Sequence, residues 1–133
     1  KPYVEAAPDK MFHQILERVQ AGGSVLAIDF IAGWSRLRAL RQQWLAETSA
    51  YDAVICPTVA LMPPKLDRLI AEDAYYKAAN LKTLRNTRIA NLMGLASLSL
   101  PTGVPSCGIM LSAPSGAEGR LLRLGAAAEA ALA

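Results

Sequence analysis

Hydrolytic chemistry needs a nucleophile held beside a base, so the residues that could form such a pair come first. The sequence has one histidine, His13. It sits among Met11, Phe12, Ile15, Leu16 and Val19, which recur at helical spacing, and that setting reads as a structural or solvated place on an amphipathic helix. The serines fall in no G-x-S-x-G elbow and no S-x-x-K pair. "GGS" at Gly22 to Ser24 lies between two helical stretches and reads as punctuation and a cap. Cys56 and Cys107 have no base nearby in sequence. The carboxylates Asp29, Asp52, Asp67, Glu72 and Asp73 fit helix and loop surface, and neither a phosphate-binding loop nor a metal-ligand spacing occurs. From the residues alone, no catalytic residue, no metal ligand and no cofactor site is assigned.

The elements that would carry such chemistry are nonetheless clear. Pro8 and Asp9 open a helix that Gly22 and Gly23 close through a left-handed cap. After Ser24 a second helix is expected over about 25–49, with Ala27, Phe30, Ile31, Trp34, Leu37, Leu40, Trp44 and Leu45 as a broad core-facing stripe. "YDAVICPT" then changes the period, and residues 53–56 read as a buried strand. Residues 57–64 form a proline-punctuated loop. Helix returns over about 69–93, broken near Asn80 and stopped at Gly94.

The stretch from Asn91 to Pro114 carries no charge and is long enough to cross a bilayer. Pro101, Pro105 and Pro114, with Gly94, Gly103 and Gly108 between them, rule against a lipid-facing helix. Two strands joined by "PTGVPS" fit better: 97–100, with Leu98 and Leu100 on one face, and 107–112, with Ile109 and Leu111 on one face. Ser115 and Glu118 then form a capping box for an Ala-rich helix running to the C-terminus.

A chain of 133 residues suits one domain, and 53% hydrophobic with 19% charged residues is not a disordered composition. The net charge of +3 comes from basic residues scattered among acids, so no nucleic-acid face is expected. Two distant cysteines make no disulfide framework; they read as small buried hydrophobes in a reducing, cytoplasmic setting. The first residue is Lys1 rather than Met and no signal-peptide pattern follows, so the chain is expected to begin inside something longer. The fold class is α/β, part of a mixed β-sheet flanked by helices. Three apolar strands are too few for this much helix, so edges are expected to stay open or to pair with strands from other sequence.

The order of "YDAVICPT", "RNTRIANLMGLASLSLPTG" and "CGIMLSAPSGAEGRLLRLGAAAEAAL" resembles the C-terminal third of amidase-signature hydrolases. The matching positions are Tyr51, Asp52, Pro57, Thr58, Asn91, Gly94, Pro101, Gly103, Gly108, Leu121, Leu122 and Glu129. The resemblance implies that residues 1–133 are the C-terminal portion of one larger amidase domain, with no internal boundary. It implies hydrolysis of a carbon–nitrogen amide bond through a serine acyl-enzyme, without a metal or other cofactor. The family's two serines and lysine map to nothing here, so the chain is expected to be inactive alone. Its partners would be the remainder of the amidase polypeptide or a second copy, with a small amide as substrate and neither nucleic acid nor membrane. The turn "PTGVPSCG" is shorter than the family's usual connection, so substrate-side loops differ. Pro57 and Thr58, opening the loop 57–64 at a strand's C-terminal end, are the expected substrate-lining residues. The alternative is a truncated, amidase-derived interaction module without catalysis.

Overall fold

The computed structural model describes residues 2–132. In chain order the elements are α1 (Pro2–Ala6), a 3-10 turn (Pro8–Lys10), α2 (His13–Ala21), a second 3-10 turn (Gly22–Ser24), α3 (Ala27–Thr48), β1 (Val54–Pro57), α4 (Leu66–Ala71), α5 (Asp73–Thr83), α6 (Arg85–Met93), β2 (Leu95–Pro101), β3 (Gly108–Pro114) and α7 (Glu118–Leu132). The fold class is the α/β arrangement expected, a small sheet flanked by helices. Two units form, one up to Arg36 and one from Leu37 onward.

In the first unit, Pro8 starts a 3-10 turn rather than the α-helix. Met11 N–H bonds Pro8 O at 3.1 Å, Met11 itself is extended, and α2 begins only at His13. Gly22 stays right-handed at φ −60°, so the expected left-handed cap does not form. Instead the Ser24 hydroxyl donates to Ala21 O at 2.8 Å and satisfies a carbonyl at the end of α2. α3 appears as expected, but its apolar stripe is not core. Ile31 is 67% and Trp34 41% exposed; further along the same helix, in the second unit, Trp44 is half-buried. Phe30 and Trp34 shield each other edge-on at 6.2 Å. Periodicity tells which side of a helix wants cover; among the described residues that cover is incomplete.

In the second unit the sheet order is β1-β3-β2, antiparallel throughout. The expected hairpin is present, with Leu98 opposite Leu111 and Leu100 opposite Ile109. Alternation along the strands puts these four with Ala96 and Ala113 on one face. There Leu100, Leu111, Ala113 and Leu121 of α7 form the core, with Leu124 and Ala128 packed on it. Fully burying each leucine contributes about 1.5–3 kcal/mol. α7 starts at Glu118, so Ser115 is not its cap and the expected box does not form; the Glu118 carboxylate accepts from Gly116 N–H at 3.3 Å instead. The helix holds through Leu132, and its continuation to Ala133 lies outside the described residues.

β1 is an edge strand, one residue later than expected, and it is not buried: Ile55 is 64% exposed because nothing described covers that side. Pro57 closes it, as an edge tolerates a missing N–H. The helical stretch expected over 69–93 is three helices, broken at extended Glu72 and at Leu84 rather than at Asn80. Gly94 ends α6 in the left-handed conformation (φ 71°), which a Cβ would disfavour, and Arg41 Nε donates to Leu92 O beside it at 2.7 Å. Neither cysteine is a buried hydrophobe. Cys56 is half-buried on the edge strand, and Cys107 is exposed because it belongs to the connection before β3.

Candidate functional site

The antiparallel pairing brings the C-terminal ends of β1 and β2 to the same end of the sheet as the start of β3. The loop 58–64 and the connection 102–107 therefore meet there. Thr58 N–H donates to Gly108 O at 2.9 Å. The Thr58 and Ser99 hydroxyls share a hydrogen bond of 2.6 Å. Gly108 fits between them, since a Cβ there would stand 3.0 Å from Thr58 Oγ1 and 3.4 Å from Ser99 Oγ. Asn86, in the first turn of α6, donates Nδ2–H to Pro57 O at 2.7 Å. Three elements thus hold the start of the loop.

The two loops wall a cavity of about 280 Å³ whose lining includes Pro57, Val59, Met62, Ser106, Cys107 and Gly108. Ser106 sits in the left-handed region (φ 63°), a conformation costing a non-glycine residue roughly 1 kcal/mol. Pro57 lies on the cavity wall; Thr58 stands beside it with its hydroxyl turned to Ser99. A second cavity of about 370 Å³ lies across Leu61 and Met62, lined also by Pro63, Lys65, Tyr75 and Lys82. The Tyr75 ring is stacked by the Arg68 guanidinium at 4.1 Å. Arg68 in turn bonds Glu72 at 2.7 and 2.8 Å. That hydrogen bond, more than the charges, raises Arg68 above its ordinary pKa and lowers Glu72 below its own.

Hydroxyls are the main polar groups on this face of the sheet. Ser97 and Ser112 bond each other at 2.9 Å, as Thr58 and Ser99 do. Among the described residues no histidine, lysine or carboxylate is bonded to any of the four, so the hydroxyls position strands and loops. Among the described residues no group of three or more His, Cys, Asp or Glu could hold a metal ion, and no helix is long and apolar enough to cross a membrane. Sequence reasoning singled out Pro57 and Thr58; it did not single out Ser99 and Asn86, which bond to that stretch, or Tyr75, Lys65 and Lys82, which line the second cavity. Thr58 and Ser99 are 41 positions apart, and Asn86 is 29 from Pro57, so no local pattern could pair them.

The Amidase family model matches residues 3–122. The chain belongs to that family, whose members hydrolyse carbon–nitrogen bonds of amides. It is 36% identical over 83 residues to 2-amino-5-chloromuconic acid deaminase of Comamonas testosteroni, covering 59% of this chain and 18% of that protein. It is 35% identical over 95 residues to putative amidase AmiC of Mycobacterium tuberculosis, covering 67% and 20%. To a glutamyl-tRNA(Gln) amidotransferase subunit from Sulfolobus acidocaldarius it is 28% identical over 96 residues, covering 68% and 19%. The chain thus spans about a fifth of the length of the curated relatives it matches. No solved structure matches it.

Proposed function

We propose that these residues are the C-terminal portion of one amidase domain that cleaves a small amide through a serine acyl-enzyme, the nucleophile and its serine and lysine partners lying outside them. Their part is to extend the sheet and to wall the substrate channel. Pro57 and Thr58 border that channel, Pro57 by its ring and Thr58 by fixing the loop on Ser99. One observation carries the reading: in a chain of the amidase family, two loops meet at the carboxyl ends of β1 and β2 around a cavity, the end where open α/β sheets bind ligands. The unpaired Cys56 and Cys107 suit a reducing, cytoplasmic setting. The purified chain is expected to release no ammonia from benzamide or propionamide. Release that is abolished by Ser97→Ala, Ser99→Ala or Cys107→Ala overturns the proposal.

A second reading has its own observation. Among the described strands β1 and β2 each pair on one side only, and Ile55 is largely exposed on the outer one. Such edges recruit other chains. The partner is the remainder of an amidase polypeptide or a second copy, and the naming of one relative as a subunit fits association. An amidase-derived interaction module would use the same edges without catalysis. Light scattering discriminates: a stable, monodisperse monomer with a cooperative melt counts against any need for a completing partner.

A further inference from the structure

The second cavity differs from the first in charge. Lys65 and Lys82 both line it, together with Tyr75, while Leu61, Met62 and Pro63 supply an apolar wall. No acidic residue lines it. Among the described residues neither ammonium is ion-paired. Of the acids at the junction of α4 and α5, Glu72 is engaged by Arg68 and Asp73 by Lys77 at 2.8 Å. Lys65 and Lys82 therefore leave an uncompensated positive charge beside an apolar surface. The volume, about 370 Å³, is that of a small-molecule site. Leu61 and Met62 also line the first cavity, so the lysine-lined space adjoins the sheet end across these two side chains.

We infer that this cavity is a carboxylate subsite, and that the amide handled here carries an anionic group several bonds from the scissile carbon–nitrogen bond. The inference rests on the reading that the loop 57–64 borders the substrate channel. A carboxylate entering the cavity meets two ammonium donors and a phenolic O–H, whose ring is fixed in place by Arg68. Both lysines are exposed, so the attraction is screened by solvent and gives only a modest preference for each ammonium engaged. A neutral amide of the same shape gains only the apolar contact. The two free lysines thus discriminate between substrates, and they do not take part in bond cleavage.

The test titrates the 133-residue chain in parallel with 3-phenylpropionate and 3-phenylpropionamide at low salt, followed by calorimetry and chemical-shift change. The acid is expected to bind about fivefold tighter than the amide for each lysine engaged. That advantage disappears in Lys65→Gln/Lys82→Gln and in about 0.5 M salt, and persists in the control Lys10→Gln, which does not line the cavity. Equal binding of acid and amide overturns the subsite and leaves the channel reading standing. An advantage unchanged in the double variant also overturns it. Failure of both probes to bind overturns the subsite and the channel reading together. Far-UV circular dichroism confirms that each variant is folded, and both lysine side chains are exposed enough to replace without disturbing the core.

Discussion

Gly125 of α7 lies directly against the side chain of Leu98: a Cβ at Gly125 would overlap Leu98 Cδ2. This close approach lets the helix settle onto the sheet face that carries Leu100 and Leu111. Two effects oppose each other in Gly125→Ala. Helix propensity favours alanine by roughly 1 kcal/mol. Overpacking costs about 1–3 kcal/mol, because the partly buried Leu98 must turn its Cδ2 aside and give up its packing on the helix. The variant is expected to be net destabilised by on the order of 1 kcal/mol in urea unfolding, Gly125→Val by more. Leu98→Ala/Gly125→Ala should lose less than the two single changes summed, because Leu98→Ala vacates the space that Gly125→Ala demands. A stabilised Gly125→Ala would show that the contact is loose.

What the sequence revealed about this packing follows from range. The alternation of Leu98 with Leu100 and of Ile109 with Leu111 is written within a few residues, so the hairpin and its core face could be read. Gly94 was legible as the stop of its helix, and it is there that α6 ends. The stripe on α3 was read equally well as a pattern, yet Ile31 and Trp34 stay exposed, since a pattern names a need and not what meets it. The candidate site was legible only at Pro57 and Thr58. Its other parts join distant positions: Ser99 and Asn86 reach the loop through strand register and helix placement, and Lys65 and Lys82 share a cavity because α4 and α5 fold against each other.

The bond between Thr58 and Ser99 should control the loop more than the fold. Thr58→Val and Ser99→Ala each remove one exposed hydrogen bond, at a cost of about 1 kcal/mol or less. Because they break the same bond, the double variant should cost little more than either single one. Gly108→Ala is expected to do similar harm by pushing on both hydroxyls and on Leu100 O, which lies 3.3 Å from the added carbon. Amide exchange at residues 58–62 reads the effect. It should quicken in all four variants, while exchange in α7 stays as it was.

The Arg68–Glu72 pair makes an acid-side prediction. Glu72 is held below the ordinary carboxylate range by the Arg68 hydrogen bond first, which outweighs desolvation, with the Arg68 charge adding to it. A depressed carboxyl contributes stability that is present above its unfolded pKa and is lost as pH falls through the folded value. Arg68, raised mainly by the same bond, loses its contribution only far above neutrality. Both side chains are 48% exposed, so the contribution is small and screened. Glu72→Gln should flatten the decline of the urea midpoint below about pH 4 slightly, and about 1 M salt should erase the difference. A steeper acid decline in Glu72→Gln would mean that the carboxylate is destabilising in the fold.

Ser97 and Ser112 face each other in register on β2 and β3 and bond at 2.9 Å, but their surroundings differ. Ser112 is buried and Ser97 is open to solvent. Removing the exposed partner therefore strands a buried hydroxyl, whereas removing the buried one leaves a hydroxyl that water can satisfy. Ser97→Ala is expected to cost about 1–3 kcal/mol and Ser112→Ala distinctly less. Ser97→Ala/Ser112→Ala should return close to the parent, since no buried polar group is then left without a partner. Urea unfolding of the four proteins measures all three relations. If Ser112→Ala proved the more damaging change, the hydroxyl would be serving a second acceptor or donor in the sheet, and the pair would not be the closed unit that its geometry describes.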